Sequence, residues 1–197
     1  MATADLGPTE QAPRPFRLFV AVDLPAEALD AIVAAIEPWR RRIEGARWGD
    51  PAGWHITLKF LGATQPERVV EVADRIAVAA AEVAPFSTRL DGLGTFPLSG
   101  PARVLWAGLD DRPGRLAGLA HAIDAALVPR YELERRPLHP HVTVARLDPP
   151  RRVAEAFTET AVEPVTIGVD QVCLYRSHLG GGTPRYEMIA TAPLGSG

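Results

Sequence analysis

Cysteine is almost absent from the chain, since Cys173 is the only one among 197 residues. A single cysteine cannot close an intramolecular disulfide, and it cannot supply the thiolates of a cysteine-based zinc site. Proteins that keep cysteine reduced are typical of the cell interior. We therefore expect a cytoplasmic protein in which Cys173 is a small buried residue of a strand.

Long apolar runs and an excess of positive charge are missing as well. No apolar run approaches the roughly 20 residues that cross a bilayer, and residues 1–15 lack the charged-then-apolar order of a secretion signal. The net charge of −3 argues against a protein that coats long nucleic acids, because such binding requires many lysine and arginine contacts with phosphates. We expect no membrane association, and a nucleic-acid substrate held at one or two phosphates only.

Hydrophobic residues are plentiful, at 47% of the chain, which is enough to bury a core. Residues 1–15 are rich in proline, alanine and threonine and have no periodicity, which predicts a flexible N-terminal tail. Beyond it, apolar periodicity predicts strands over 18–22, 55–60, 86–90, 104–107, 141–144, 165–175 and 186–191. The predicted helices are 25–38, ended or kinked by Pro38, 69–76, opened by a capping box of Thr64 and Glu67, and 116–123.

The second half of the chain repeats the first at a distance of 86 residues. A shift of 86 positions without gaps places Ala107 on Ala21, and it also places His141 on His55 and Thr143 on Thr57. Agreement in two separate elements indicates an internal duplication. We therefore predict that residues 16–197 form one bilobal domain of the α+β class, with two pseudo-symmetric lobes. Each lobe is expected to be a mostly antiparallel sheet with helices on its outer face, and the active-site cleft is expected between them.

The duplicated pair carries the chemistry: His55-x-Thr57, the first dyad, and His141-x-Thr143, the second dyad. Side chains two residues apart on a strand share a face, so each threonine lies beside its imidazole. Histidine titrates near neutral pH, and two imidazoles facing one cleft can supply a general base and a general acid. Threonine hydroxyls can donate to phosphate oxygens. The pattern favours in-line attack at phosphorus, with fixed donors in place of a metal.

Alternation also predicts the neighbours of the first dyad. Ile56, Leu58 and Phe60 are expected to face the core, and Lys59 is expected to join the dyad on the other face. We place Phe19 and Trp106 in the core too, and Arg47 with Trp48 either stacks on a nucleotide or forms a buried pair. The stretch 177–184, which contains Gly180–Gly182, predicts a hairpin loop or a mobile flap over the active site.

Other interpretations of the histidines are open. His139 and His141 share a face and could ligate zinc together with His55, although no H-E-x-x-H motif or cysteine ligand accompanies them. A binding module could keep the cleft without catalysis, and its mark would be the loss of one dyad, whereas both are complete. A serine nucleophile is disfavoured, because the chain has no G-x-S-x-G elbow.

At these residues the chain resembles the 2H phosphoesterase superfamily, and within it the bacterial and archaeal RNA 2′,3′-cyclic phosphodiesterases, also called 2′-5′ RNA ligases. The resemblance extends over nearly the whole chain after Phe16. The segments that carry it are Arg17–Ala21, Arg47–Trp48, His55–Gly62, Phe96–Pro97, Arg103–Gly108, Pro140–Arg146, Leu174–Ser177 and Tyr186.

The resemblance implies a monomeric hydrolase without metal or cofactor, acting on RNA ends or nucleotides that bear a 2′,3′-cyclic phosphate and leaving a 2′-phosphate. It assigns His55 as proton donor, His141 as proton acceptor, and Thr57, Thr143 and Arg146 as phosphate-binding residues. Strict alternation places Arg146 on the face opposite His141, so its role requires a bulge. With an RNA hydroxyl replacing water, the same site run in reverse would perform 2′-5′ ligation, and the sequence does not choose between the two.

Overall fold

The computed structural model describes residues 14–178, 180 and 184–195. Most of the predicted tail over 1–15, together with Gly181 and Gly182 of the predicted flap, lies outside these ranges. The strands are β1 (Phe16–Asp23), β2 (Ala46–Trp48), β3 (His55–Thr64), β4 (Phe86–Phe96), β5 (Ala102–Leu109), β6 (His141–Arg151), β7 (Thr166–Val169), β8 (Gln171–His178) and β9 (Arg185–Pro193). The helices are α1 (Ala26–Arg40), α2 (Val69–Ala81), α3 (Arg115–Ala126) and α4 (Glu155–Thr158).

The strands form one curved antiparallel sheet made of two similar halves. The strand order is β7-β4-β5-β6-β3-β1-β8-β9, with β2 added beside β6. The first half-sheet is β9-β8-β1-β3 and the second is β6-β5-β4-β7, and they meet where Ile56 of β3 pairs with Val142 of β6. This arrangement confirms the α+β class. The half-sheets do not follow chain order, because β8 and β9 return to the first half after β7.

The duplication is visible in the strand register. In the first half-sheet Ala21 lies opposite Thr57, and in the second Trp106 lies opposite Thr143. The shift that relates β3 to β6 is therefore 86 residues, as predicted, whereas the one that relates β1 to β5 is 85. The ungapped match of Ala107 with Ala21 was wrong by one residue. As a result Trp106, rather than Ala107, lies beside the second dyad.

One hydrophobic core serves both halves. Most buried apolar residues of both half-sheets and of all four helices belong to a single cluster. The helix α3 packs on β3 and α2. Trp39 of α1 packs its ring edge-on against Phe157 of α4, with ring centroids 5.5 Å apart, and its indole N–H donates to the hydroxyl of Thr160 at 3.1 Å. The helices therefore connect the two halves. Within the described ranges, no helix is long and apolar enough to cross a membrane.

Several local predictions were wrong. The single strand predicted over 165–175 is two strands, β7 and β8, which lie at opposite sides of the sheet. Pro38 does not end α1, which continues to Arg40. The predicted capping box is absent, because Thr64 belongs to β3 and shares a hydrogen bond of 2.8 Å with the hydroxyl of Tyr131. The hairpin between the last two strands is confirmed, since β8 and β9 pair from Gln171 to His178.

Candidate active site

The junction between the half-sheets places both dyads on one face. Ile56 and Val142 lie directly opposite each other, and both are completely buried on the core side. Their neighbours along each strand must point to the opposite face. Continued by one residue in each direction, this antiparallel register sets His55 opposite Thr143 and Thr57 opposite His141. Each imidazole therefore faces the threonine of the other dyad.

A bulge follows each dyad and changes which residues face the cleft. In β3 the pairing with β1 passes over Leu58, and in β6 the pairing with β5 passes over Val144. An extra residue reverses the alternation beyond it. Lys59 is consequently buried on the core side and Phe60 is 71% exposed, so the predicted positions of these two residues were wrong.

The bulge in β6 has the same effect on Arg146. Ala145 and Leu147 on either side of it are buried, and Arg146 is exposed on the face that carries the second dyad. The condition that the sequence set for this arginine, a bulge between it and His141, is therefore met. Its charge acts on both His141 and Tyr186.

Backbone carbonyls fix the protonation of both imidazoles. Nδ1 of His55 donates to the carbonyl of Gly53 at 2.9 Å, and Nδ1 of His141 donates to the carbonyl of His139 at 2.7 Å. A carbonyl oxygen can only accept, so the proton of each neutral ring lies on Nδ1. Nε2 of each ring then carries a lone pair that can take a proton from a reactant, or give one when the ring is charged.

Aromatic rings surround the first imidazole. Phe19 stacks on His55 with centroids 4.7 Å apart, and Tyr186 meets it edge-on at 5.2 Å. Phe19 is buried as predicted, but it lies against the dyad rather than in the core cluster. A cavity of about 180 Å³ opens here, lined by Phe19, His55, Tyr186 and the exposed ring of Phe60.

The second imidazole has a similar environment built from different residues. Phe96 meets His141 edge-on at 5.0 Å, and Trp106 lies 6.5 Å from it. His139, the third histidine of the zinc interpretation, packs its ring against Trp106 at 4.9 Å. Trp106 is only partly buried, so its predicted place in the core was wrong. Across the described part of the chain, no group of three histidine, cysteine or acidic side chains has the arrangement of a metal site.

Electrostatics distinguishes the two histidines. Burial lowers the pKa of both imidazoles, because a charged ring loses its hydration. For His55 the bond to Gly53 and the negative charge of Asp23 oppose this effect and raise the pKa. For His141 the positive charges of His139 and Arg146 lower the pKa further, against the bond to the His139 carbonyl. The charge of Asp23 thus favours the protonated form of His55, and the charges of His139 and Arg146 favour the neutral form of His141.

Several residues of this site were missed or undervalued by sequence reasoning. Asp23 was noted only as the end of a strand, although it lies opposite His55 in the register and accepts a hydrogen bond of 2.8 Å from Tyr175. Phe96 and Tyr186 reach the dyads from distant positions; the resemblance included both residues, but no periodicity indicated that they contact the histidines. The signal for Asp23 was its place at the end of the strand that pairs with the first dyad.

Comparison with known proteins agrees with this geometry. A family model described as the 2′-5′ RNA ligase superfamily matches residues 28–181 of the chain. The chain belongs to this superfamily. The resemblance to 2H phosphoesterases that the sequence motifs indicated is thereby confirmed.

Individual members of the superfamily match over most of the chain. The RNA 2′,3′-cyclic phosphodiesterase of Geobacillus stearothermophilus is 33% identical over 179 residues, which cover 89% of this chain and 56% of that protein. The chain thus spans about half the length of that relative. The crystal structure of TT0787 of Thermus thermophilus superposes with a TM-score of 0.78 at 30% identity, covering 90% of this chain and 97% of that one.

A second solved member of the superfamily carries a nucleotide. E. coli LigT complexed with 3′-AMP superposes with a TM-score of 0.72 at 28% identity, covering 91% of this chain and 98% of that one. The fold of this chain is therefore shared with both solved structures.

Proposed function

We propose that this protein hydrolyses 2′,3′-cyclic phosphates at RNA ends, or on nucleotides, to 2′-phosphates. The observation that carries the proposal is the pair of half-buried imidazoles on one face of the sheet. Each has its Nδ1 proton fixed by a carbonyl, and each faces the threonine of the other dyad. The names of the superfamily and of its phosphodiesterase relatives support the same reaction.

In the proposed reaction, water attacks phosphorus in line with the bond to the 3′ oxygen. Nε2 of His141 accepts a proton from the water as the new phosphorus–oxygen bond forms. Nε2–H of His55 donates a proton to the 3′ oxygen as its bond to phosphorus breaks, and the phosphate stays on the 2′ oxygen. Proton exchange with solvent then restores both imidazoles.

The division of roles follows from the charges around each ring. A general acid must be protonated before the reaction, and the carboxylate of Asp23 favours the charged form of His55. A general base must be neutral, and the positive charge of Arg146 favours the neutral form of His141. The same arginine and the hydroxyls of Thr57 and Thr143 would stabilise the non-bridging phosphate oxygens.

Product identity tests the proposal. Adenosine 2′,3′-cyclic phosphate is incubated with the protein in the presence of a chelator, and the product is separated from both isomers of AMP. We expect only adenosine 2′-phosphate. Formation of only the 3′-phosphate would reverse the roles of the two histidines, and loss of activity with chelator would favour the zinc interpretation.

Ligation uses the same groups with a 5′-hydroxyl of RNA in place of the water. His141 would then accept the proton of the 5′-hydroxyl and His55 would again protonate the departing 3′ oxygen; the two exchange roles only when the 2′-5′ bond is cleaved back to the cyclic phosphate. Incubation with tRNA halves bearing cyclic phosphate and 5′-hydroxyl ends measures how far the equilibrium favours joining. A protein that binds these ends but neither cleaves nor joins them would be the binding module.

A further inference from the structure

Two arginines face each other next to the dyads. Arg47 of β2 pairs with Arg146 of β6. The neighbours of Arg47, Ala46 and Trp48, pack against the core, as does Leu147 beside Arg146. Residues directly opposite each other on paired strands share a face, so both guanidinium groups project from the face that carries the dyads.

Within the described ranges this pair has no counter-charge in an ion pair. Like charges directly opposite each other on a sheet repel and destabilise it. Among the residues that the structure describes, neither arginine takes part in an ion pair, although eight other lysine and arginine side chains do. Such an arrangement is suited to an anion from outside, since guanidinium donates bidentate hydrogen bonds to phosphate.

The arginine pair continues the row formed by the dyads. The strand β6 borders β3 at Val142 and β2 from Ala145 to Leu147, and the backbone N–H of Gly49 donates to the carbonyl of Val144 at 2.8 Å between them. Along this edge, Thr57 faces His141, His55 faces Thr143, and the two arginines face each other next. The exposed ring of Phe60 lies at the other end of the row. An anion bound at the arginine pair would therefore be the next group along β6 after the reacting phosphate, on the side away from Phe60.

We propose that Arg47, with Arg146 beside it, binds the backbone phosphate on the 5′ side of the cyclic nucleotide. The inference rests on the proposed function and adds to it a preference for RNA ends over mononucleotides that lack a 5′-phosphate. A chain with a net charge of −3 cannot attract RNA through its overall electrostatic field. RNA must therefore be bound by local positive groups such as these two arginines. Arg146 has five N–H donors and can contact both the cyclic phosphate and the 5′-side phosphate. Arg47 lies farther from the dyads and would contact only the 5′-side phosphate.

Two substrates that differ in one phosphate test the inference. We compare adenosine 2′,3′-cyclic phosphate with the same nucleotide carrying a 5′-phosphate, and expect wild-type protein to have a KM about 10-fold lower for the second. Arg47→Ala should remove this difference by raising KM for the 5′-phosphorylated substrate only. Arg47→Lys should keep part of it, because the charge remains and the bidentate fork is lost.

A control variant that loses the same charge elsewhere distinguishes a direct contact between Arg47 and the phosphate from a general effect of the protein's net charge. Arg68→Ala removes one positive charge in the turn before α2 and should leave both KM values unchanged. For the 5′-phosphorylated substrate, the slope of log KM against log salt concentration should be smaller by about one in Arg47→Ala than in wild type. Equal losses on both substrates, or none on either, overturn the inference, and they leave the proposed function standing as long as wild-type protein forms the 2′-phosphate. Wild-type protein that turns over neither substrate refutes the proposed function itself.

Discussion

Lys59 and Asp124 form an ion pair inside the core, with 6% and 7% of their side chains exposed. Nζ of Lys59 also donates to the carbonyl of Glu132 at 3.0 Å, and the Asp124 carboxylate accepts from the backbone N–H of Glu134 at 2.7 Å. The pair thereby ties β3, which carries the first dyad, to α3 and to the segment that precedes the second dyad. The bulge in β3 is what turns Lys59 inward to meet its partner.

Removing the lysine should cost much stability. In Lys59→Met the carboxylate of Asp124 stays buried without its counter-ion, and we expect a loss of about 3–5 kcal/mol in the free energy of unfolding. Chemical denaturation measures the loss. The double variant Lys59→Met with Asp124→Leu should recover most of it, because an apolar pair leaves no buried charge. A single variant as stable as wild type would mean that the pair is solvated.

Two apolar residues of β3, one before the bulge and one after it, should contribute very differently to the free energy of unfolding. Ile56→Ala should lower the free energy of unfolding by about 2–5 kcal/mol, because it opens a cavity at the junction of the half-sheets. Phe60→Ala should change stability by less than about 0.5 kcal/mol, since the ring is mostly exposed. Thermal or urea denaturation of the two variants side by side checks this, and equal losses would show that Phe60 is in the core.

Each histidine should be required for turnover but not for binding. His55→Ala and His141→Ala are expected to lower kcat by about 10²- to 10⁴-fold each, because each removes one proton transfer. Calorimetric titration with adenosine 2′-phosphate should still detect binding to both variants. The double variant should lose less than the product of the two single losses, since both groups act in one step. Unchanged rates in either variant would exclude that ring from the reaction.

The pH dependence of kcat/KM should depend on the charge of Asp23. A bell-shaped kcat/KM is expected, falling on the acid side as His141 gains a proton and on the alkaline side as His55 loses one. Burial lowers both pKa values, so both limbs should lie below the pH at which an exposed histidine titrates. Because the charge of Asp23 raises the pKa of His55, Asp23→Asn should move the alkaline limb to lower pH.

Tyr175→Phe is the control for this shift. It removes the hydroxyl that donates to Asp23 but leaves the carboxylate charge in place, so the alkaline limb should stay where it is in wild type. Steady-state rates across the pH range distinguish the two variants. An alkaline limb that does not move in Asp23→Asn would show that the carboxylate does not act on His55.

Gly94 leaves room for the aromatic wall of the second dyad. A methyl group at this position would overlap the ring of Trp106, the residue that pairs with Gly94 across β4 and β5. Gly94→Ala should therefore displace the indole, with a change in tryptophan fluorescence and a fall in kcat/KM. Gly118→Ala is the matched control, because Gly118 lies in α3 with open space around it and alanine favours a helix. Unchanged fluorescence and activity in Gly94→Ala would contradict this packing.

Much of the site could be predicted from single strands. The spacing His-x-Thr places two side chains on one face whatever the strand pairs with, and the recurrence of the spacing 86 residues later pointed to a second copy on a related strand. The burial of Ile56 followed from the same alternation. These features depend only on the period of a strand, which local sequence determines.

The rest depended on which strands pair. A bulge exists only as a mismatch between two paired strands, so the inward turn of Lys59 and the outward turns of Phe60 and Arg146 could not be derived from β3 or β6 alone. The same holds for the opposition of Arg47 and Arg146, which are 99 residues apart in the chain.

By itself the sequence determined the two His-x-Thr dyads, their duplication and the superfamily, because these depend on short motifs and on the period of single strands. The tertiary structure alone decided the environment of each imidazole. Phe19, Tyr186, Phe96 and Asp23 reach the histidines through pairings between strands distant in the chain, and the charges at those contacts differ between the proposed acid His55 and the proposed base His141. Long-range pairing is set by the shared core, and no segment read alone contains it.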